Sequence, residues 1–186
     1  MKLKPIAAAI AASLFVTTGA SYAAETASDS GFYIGAGLGM AYYNYDDVDD
    51  SNVITAYGGY RPATSPIGIE VAYVDLGQAD ISDPLMIFDS FNMKGFNVSA
   101  LLTSAGSGNP LAVFAKLGFY SLDTELDTVV GSFSESSTGL SWGLGLDFAA
   151  TKSLVVRGEM LGFVSPEDFA SEEDVFAINI GVNYRF

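Results

Sequence analysis

Cysteine and histidine are both absent from this chain of 186 residues. The chain therefore has no disulfide, no thiolate nucleophile, no zinc site of the usual kind and no histidine-dependent catalytic pair. Basic residues are also scarce, because 8 Lys and Arg face 22 Asp and Glu, which gives a net charge of −14. Such a chain cannot neutralise a row of phosphates, so nucleic acid is excluded as a partner.

Charged residues are few in this chain, although acidic residues predominate among them. Hydrophobic residues make up 49% of the sequence and charged residues only 16%, whereas soluble domains carry about 25% charged residues. After Ser30 no apolar run approaches the ~18 residues that a spanning helix requires. The composition therefore points to a surface that is partly out of water, without a transmembrane helix.

The first 23 residues predict a secretory signal peptide. Lys2 and Lys4 precede the apolar run Ile6–Val16, and Ser21 and Ala23 supply the small side chains that cleavage after Ala23 requires. The run is shorter than the ~20 residues of a spanning helix. We therefore expect a leader at 1–23 and one mature domain at 24–186 that works outside the cytoplasm.

The mature chain alternates with a period of two, which is typical of β-strands. In the last segment Phe176, Ile178, Ile180 and Val182 share one face, while Asn179 and its alternate neighbours share the other. The same pattern predicts eight strands, whose apolar residues span Phe32–Tyr42, Ile54–Tyr60, Ile67–Tyr73, Phe96–Leu102, Leu111–Phe119, Leu140–Phe148, Leu154–Met160 and Phe176–Phe186.

Charged residues in these strands avoid the apolar face. The six that lie in the opposite register are Glu70, Lys116, Asp147, Arg157, Glu159 and Arg185. The rest of that second face is rich in Gly, Ala, Ser and Asn, whereas a water-facing surface would carry roughly a quarter to a third charged residues. This favours an all-β fold, an eight-stranded antiparallel up-and-down transmembrane β-barrel with its apolar face toward lipid, over a soluble ligand-binding barrel.

Aromatic residues and connections agree with a membrane barrel. One expected interfacial band holds Phe32, Tyr60, Phe148, Tyr184 and Phe186, and the other holds Tyr42, Tyr73, Phe96, Phe119, Trp142 and Phe176. Short connections (62–66, 104–110 and 150–153) alternate with longer ones (46–52, 78–93, 124–137 and 164–174). Because short turns face the periplasm in such barrels, we expect both termini to be periplasmic and the long loops to be extracellular.

Several segments resemble the OmpA-like family of eight-stranded outer-membrane barrels: TAYGGYR (55–61), IGIEVAYVDLG (67–77), VFAKLGFYSLD (113–123), WGLGLDF (142–148) and the ending INIGVNYRF. The resemblance implies that Phe186, with Tyr184, Val182 and Ile180 at alternate positions, is the signal for the barrel assembly machinery. Many such proteins continue into a peptidoglycan-binding domain. The present sequence stops at Phe186, so we expect a stand-alone barrel.

The inward-facing ions allow two interpretations. They could line a narrow, gated conduction path, or they could form a paired network that closes the interior, and we favour the second because barrels of eight strands have filled interiors. A carboxylate pair such as Asp147 with Glu159 could in principle do acid–base chemistry. Outer-membrane barrels that are enzymes use a histidine in their active sites, and this chain has none. We therefore expect no enzyme activity, no metal and no cofactor.

Acidic residues concentrate in the predicted outer loops, with 17 of the 22 acids there or at their margins. They include Asp46, Asp47, Asp49 and Asp50 in the first loop and Glu172, Glu173 and Asp174 in the last. These acids could collect divalent cations that bridge lipopolysaccharide, dock a cationic partner, or merely keep the surface solvated. The apolar segment 85–91 could rest on the rim or offer an interaction patch.

The sequence thus predicts a monomeric outer-membrane barrel with a structural or surface-interaction role. Its expected partners are outer-membrane lipids, lipopolysaccharide and the assembly machinery. A small ion-conducting pore, an adhesin-like recognition protein and a soluble periplasmic binder are the alternatives.

Overall fold

A computed structural model of the chain describes residues 31–43, 50–62, 65–80, 88–104, 110–128, 131–164 and 175–186. These residues form a closed barrel in which each strand pairs with the next and β8 pairs with β1, always antiparallel. The strands are β1 (Gly31–Tyr43), β2 (Ser51–Arg61), β3 (Ile67–Asp80), β4 (Phe88–Thr103), β5 (Leu111–Thr128), β6 (Gly131–Ala149), β7 (Leu154–Val164) and β8 (Val175–Arg185). The predicted leader, residues 1–23, lies outside the described residues.

The eight-stranded barrel predicted from the alternation is confirmed. Side chains of the apolar register point outward, as the exposed fractions of Leu38 (66%), Leu144 (51%) and Ile178 (48%) show. The register of β2, where Gly58 interrupts the apolar series, also follows the prediction, with Ile54 and Tyr60 exposed. No helix in the described ranges is long and apolar enough to cross a membrane.

The two ends of the barrel differ, and we name them by the residues they carry. The near end holds Gly31 and Phe186, and the far end holds Tyr43 and the β5–β6 hairpin. Aromatic rings pair at both ends: Phe32 with Tyr60 at 4.8 Å near the termini, and Trp142 with Phe176 at 5.9 Å toward the far end. The predicted aromatic bands therefore lie at opposite ends of the outer surface.

Two of the predicted long loops are largely strand. β3 continues to Asp80 and β4 begins at Phe88, so the predicted loop 78–93 is wrong over much of its length. Likewise β5 and β6 pair as far as Thr128 and Gly131, within the predicted loop 124–137. Beyond the far aromatic band no lipid enforces an apolar face, so these strand ends lack the alternation on which the prediction depended. β2 also begins at Ser51, inside the predicted first loop.

Candidate functional site

The interior toward the near end holds a cluster of charged side chains that we call the ion network. All six charged residues predicted in the inward register lie there, each less than a tenth exposed, and a seventh residue, Arg61, joins them. The network therefore contains Arg61, Glu70, Lys116, Asp147, Arg157, Glu159 and Arg185. It brings together residues from β2, β3, β5, β6, β7 and β8, because each strand turns alternate side chains toward the axis.

Arg157 is at the centre of the network. Its Nε and Nη2 donate to the two carboxylate oxygens of Asp147 at 2.8 and 3.1 Å, and its Nη1 donates to Glu70 Oε2 at 2.6 Å. The rings of Phe114 and Tyr57 lie 4.5 and 4.9 Å from its guanidinium carbon. A guanidinium held by a bidentate carboxylate and flanked by aromatic faces has little freedom to move.

Glu70 and Lys116 extend the network across the barrel. Lys116 Nζ donates to Glu70 Oε1 at 2.6 Å and also contacts Glu159. The hydroxyl of Tyr33 donates to Glu70 Oε2 at 2.7 Å. Both oxygens of Glu70 are thus occupied, as a buried carboxylate requires.

Asp147 collects the remaining cations. Besides Arg157, it accepts from Arg185 Nη2 at 3.1 Å and lies 3.6 Å from Arg61 Nη2. Arg61 was missed in the sequence because the predicted second strand ended at Tyr60. The signal was present, since Arg61 shares the alternate positions of Tyr57 and Gly59, opposite to the apolar register.

The acid–base pair considered for Asp147 and Glu159 does not form. Asp147 is held by the three arginines of the network, whereas Glu159 contacts Lys116. Each carboxylate is therefore the counter-ion of a different set of cations. Among the residues that the structure describes, no group of three His, Cys, Asp or Glu side chains could hold a metal ion.

From the ion network toward the far end, the interior is filled mainly by apolar side chains, with a few hydrogen-bonded polar ones such as Asn97 and Ser141. The side chains that fill it, which we call the apolar layer, belong to one buried cluster and include Val53, Val74, Leu76, Leu122, Phe163 and Val175. Small and amide residues such as Ala41, Asn97 and Ala177 are buried among them, in line with the predicted inward register, but the large apolar side chains were not predicted. A barrel of eight strands is narrow enough for side chains to fill it, and the large apolar residues do so without needing partners for polar atoms.

Comparison with known proteins identifies the family to which this fold belongs. The family model described as "Outer membrane protein beta-barrel domain" matches residues 9–186. The chain belongs to this outer-membrane β-barrel family. Comparison with curated protein sequences finds no match.

Solved structures of outer-membrane barrels have the same fold. Neisserial surface protein A is 16% identical, covers 84% of this chain and 98% of its own, and gives a TM-score of 0.64. The attachment invasion locus protein Ail of Yersinia pestis is 17% identical, with coverages of 87% and 100% and a TM-score of 0.58. OprG from Pseudomonas aeruginosa is 14% identical, with coverages of 86% and 98% and a TM-score of 0.62. At these identities the likeness concerns the fold alone.

The residues expected to form the family's assembly signal lie on the outside of β8 and just after it. Phe186, Tyr184, Val182 and Ile180 are all exposed in the lipid-facing register. The backbone N–H of Phe186 donates to the carbonyl of Phe32 at 3.0 Å, which fixes the end of the chain against β1. The signalling role of these residues stays a prediction.

The predicted loop acids lie mostly outside the described part of the chain. Asp46, Asp47, Asp49, Glu172, Glu173 and Asp174 are not described, and Asp50 is exposed just before β2. Of the apolar segment 85–91, only the β4 residues 88–91 are described. At the far rim Lys94 donates to Glu125 at 3.0 Å, and Asp75 lies opposite Lys94 across the β3–β4 pair.

Proposed function

We propose that this member of the family is a non-catalytic barrel with a structural or surface-interaction role, closed to ions, with its far end outside the cell. The observation that carries the proposal is that two successive sets of side chains fill the interior of the barrel. An ion network and an apolar layer follow one another along the axis, both deeply buried. A path for hydrated ions would have to open through both.

The proposed orientation places both termini in the periplasm. It is supported by the lengths of the hairpins, since short connections join strands at the near end and the extended hairpins lie at the far end. The predicted signal peptide at 1–23 is consistent with export. The proposed partners are outer-membrane lipids and lipopolysaccharide around the barrel, the assembly machinery at Phe186, and divalent cations at the acidic loops.

Absence of cysteine gives a clean test of orientation. Ser134→Cys at the far end and Thr151→Cys at the near end each introduce one exposed thiol. A membrane-impermeant thiol reagent should label Ser134→Cys on intact cells, and should label Thr151→Cys only after the outer membrane is permeabilised. The reverse result would invert the proposed orientation.

Conduction is tested in planar bilayers. The refolded full chain should show no steady conductance. A steady conductance that changes with Glu70→Gln or Arg157→Ala, while the lipid-facing control Ile178→Val leaves it unchanged, would establish a pore instead. Heat-modifiable mobility of unboiled samples verifies that every variant is folded before it is recorded.

Surface recognition is the second candidate. It is favoured by the strand ends that extend past the far aromatic band, and by the fold shared with Ail, an attachment invasion locus protein. Shortening the β5–β6 hairpin at the pair Leu122 and Ser137 removes much of this extension without touching the band. Loss of adherence to host cells with unchanged heat-modifiable mobility would support recognition, and unchanged adherence would argue against this hairpin as its site.

A further inference from the structure

The lipid-facing surface of the barrel carries a groove that crosses β3 to β6. Its volume is about 380 Å³, and it reaches the main chain at Ser99 and Gly118. None of the described residues that line it is charged. The outward side chains that bound it come from all four strands, and they are Ile69, Val98, Ala100, Leu117, Phe119 and Leu140. The groove is therefore an apolar depression in a surface that faces hydrocarbon.

Ala100 forms the floor of the groove because its neighbours are larger. It lies opposite Ile69 on β3 and opposite Leu117 on β5. Ile69 is 54% exposed and Leu117 66%, so both side chains stand above the single methyl group of Ala100. Phe119, one outward position further along β5, is 72% exposed and extends the same wall. A depression between such side chains loses dispersion contacts unless another molecule fills it.

The groove runs obliquely and opens at the far aromatic band. Ile69 is the second outward residue of β3 from the near end, whereas Phe119 belongs to the far band and Leu140 lies two residues from Trp142 of that band. Strands of such barrels tilt by about 35–45°, so a line across four of them climbs through the membrane. Three strand spacings of ~4.8 Å make the groove about 15 Å long, half of the ~30 Å hydrocarbon core. It therefore has the length of the hydrocarbon of one leaflet.

A second copy of the chain is a poorer occupant than a lipid. A stable interface buries about 800 Å² and 20–30 residues on each partner, whereas six outward side chains bound the groove. In lipid no hydrophobic effect drives barrels together, so their association needs matched packing over a wide surface. A flexible acyl chain needs only the groove itself, and the surrounding membrane supplies it.

We propose that the groove holds one acyl chain of a lipid from the far leaflet, whose headgroup lies beyond the far aromatic band. The inference rests on the proposed function, which places the far leaflet outside the cell, where lipopolysaccharide is the lipid. It assigns part of the proposed contact with lipopolysaccharide to defined residues of β3 to β6. The chain gains dispersion contacts with the walls at Leu117 and Phe119 that a face without a groove does not offer.

Photo-crosslinking in vesicles locates the occupant. The full chain is refolded in phospholipid vesicles that contain a minor fraction of a phospholipid with a diazirine half-way along one acyl chain, and crosslinked peptides are identified by mass spectrometry. Crosslinks at residues 98–100 and 117–119 should exceed those on the outward faces of β1 and β8 at least about threefold. An even distribution over the lipid-facing surface would overturn the proposal.

Two alanine variants test the groove directly. Ala100→Phe places a ring on the floor of the groove, and it should lower crosslinking at 117–119 to the level of β1 and β8. Ala56→Phe is the matched control, because Ala56 is an exposed, outward alanine of β2 outside the groove, and it should leave the pattern unchanged. Heat-modifiable mobility verifies that both variants are folded. Unchanged crosslinking in Ala100→Phe would refute the groove as the site.

Competition identifies the lipid. Lipopolysaccharide should displace the photoreactive lipid from the groove at least about threefold more effectively than unlabelled phospholipid with the same number of acyl chains. Equal displacement would contradict the assignment to lipopolysaccharide.

Ala100→Cys tests the second copy, because the chain has no other cysteine. The variant should stay monomeric on oxidation in vesicles, and a disulfide-linked pair in place of lipid crosslinks would overturn the proposal. Failure of these tests, with bilayers still silent and thiol labelling as expected, would reject this inference and leave the proposed function standing.

Discussion

Replacing Lys116 with methionine should destabilise the barrel more than replacing Arg185 with methionine. Lys116 is the one ion-pair partner of Glu159 among the described residues. Its loss leaves that buried carboxylate without an ion-pair partner among the described residues. Asp147, by contrast, keeps Arg157 at 2.8 Å when Arg185 is removed.

The magnitudes follow from the number of partners left. Removing one member of a buried pair costs about 3–5 kcal/mol when it strands the other charge. Removing Arg185 costs about 1.5–3 kcal/mol, the value of a hydrogen bond between charged groups, because Asp147 remains paired. The double change Lys116→Met with Glu159→Gln removes the stranded charge. It should therefore recover at least ~1 kcal/mol relative to Lys116→Met alone.

Urea unfolding in lipid vesicles measures these differences by linear extrapolation. The single tryptophan, Trp142, reports on unfolding by fluorescence. Leu117→Met is a matched control, since it introduces the same side chain on the same strand but faces lipid, and it should change little. If the double variant is no more stable than Lys116→Met, the unpaired Glu159 carboxylate is not the source of the loss and the reasoning fails.

The same unfolding assay checks two further predictions, and the amount of folded protein in the outer membrane checks a third. Gly145→Ala should cost about 1–3 kcal/mol because a Cβ there would collide with the Phe114 ring, whereas Gly158→Ala, which meets open space, should be nearly neutral; equal effects would contradict this packing. Leu144→Arg, midway between the bands, should cost about 2–4 kcal/mol and Leu154→Arg near the end about 0–1, and the reverse order would misplace the bilayer. Phe186→Ala should lower the amount of folded protein in the outer membrane while leaving refolding in vitro intact, and normal cellular levels would remove the assembly role.

The outward face could be predicted because lipid constrains it one residue at a time. Ile178 and Leu144 each occupy a position where a charge would cost about 2–4 kcal/mol, so the period of two persists along the lipid-facing part of every strand. The inward register of Arg157 and Asp147 follows directly, since successive side chains of a strand point to opposite faces. A local rule applied along the chain is sufficient for both faces.

The pairing inside the barrel could not be predicted in the same way. Glu70 and Arg157 meet although 87 residues separate them, and nothing in either segment identifies the other. The heights of inward residues depend on how each strand is staggered against its neighbours. The apolar layer was not predicted for a related reason. Val74 and Leu122 lie in the inward register, and that register was interpreted only from its small and charged residues.

The polar ends of the β5–β6 hairpin show the opposite failure, because they form strand where the pattern predicted a loop. Ser134 and Ser136 are strand residues without an apolar face, so periodicity assigned them to a loop, yet β5 pairs with them throughout. Neither lipid contact nor the filled interior requires that pairing to continue past the aromatic band. The pairing of β5 with β6 past the far aromatic band is therefore a feature that the membrane fold itself does not explain. Since the ion network and the apolar layer fill the described interior, the far strand ends are the part of the molecule on which the proposed surface role depends.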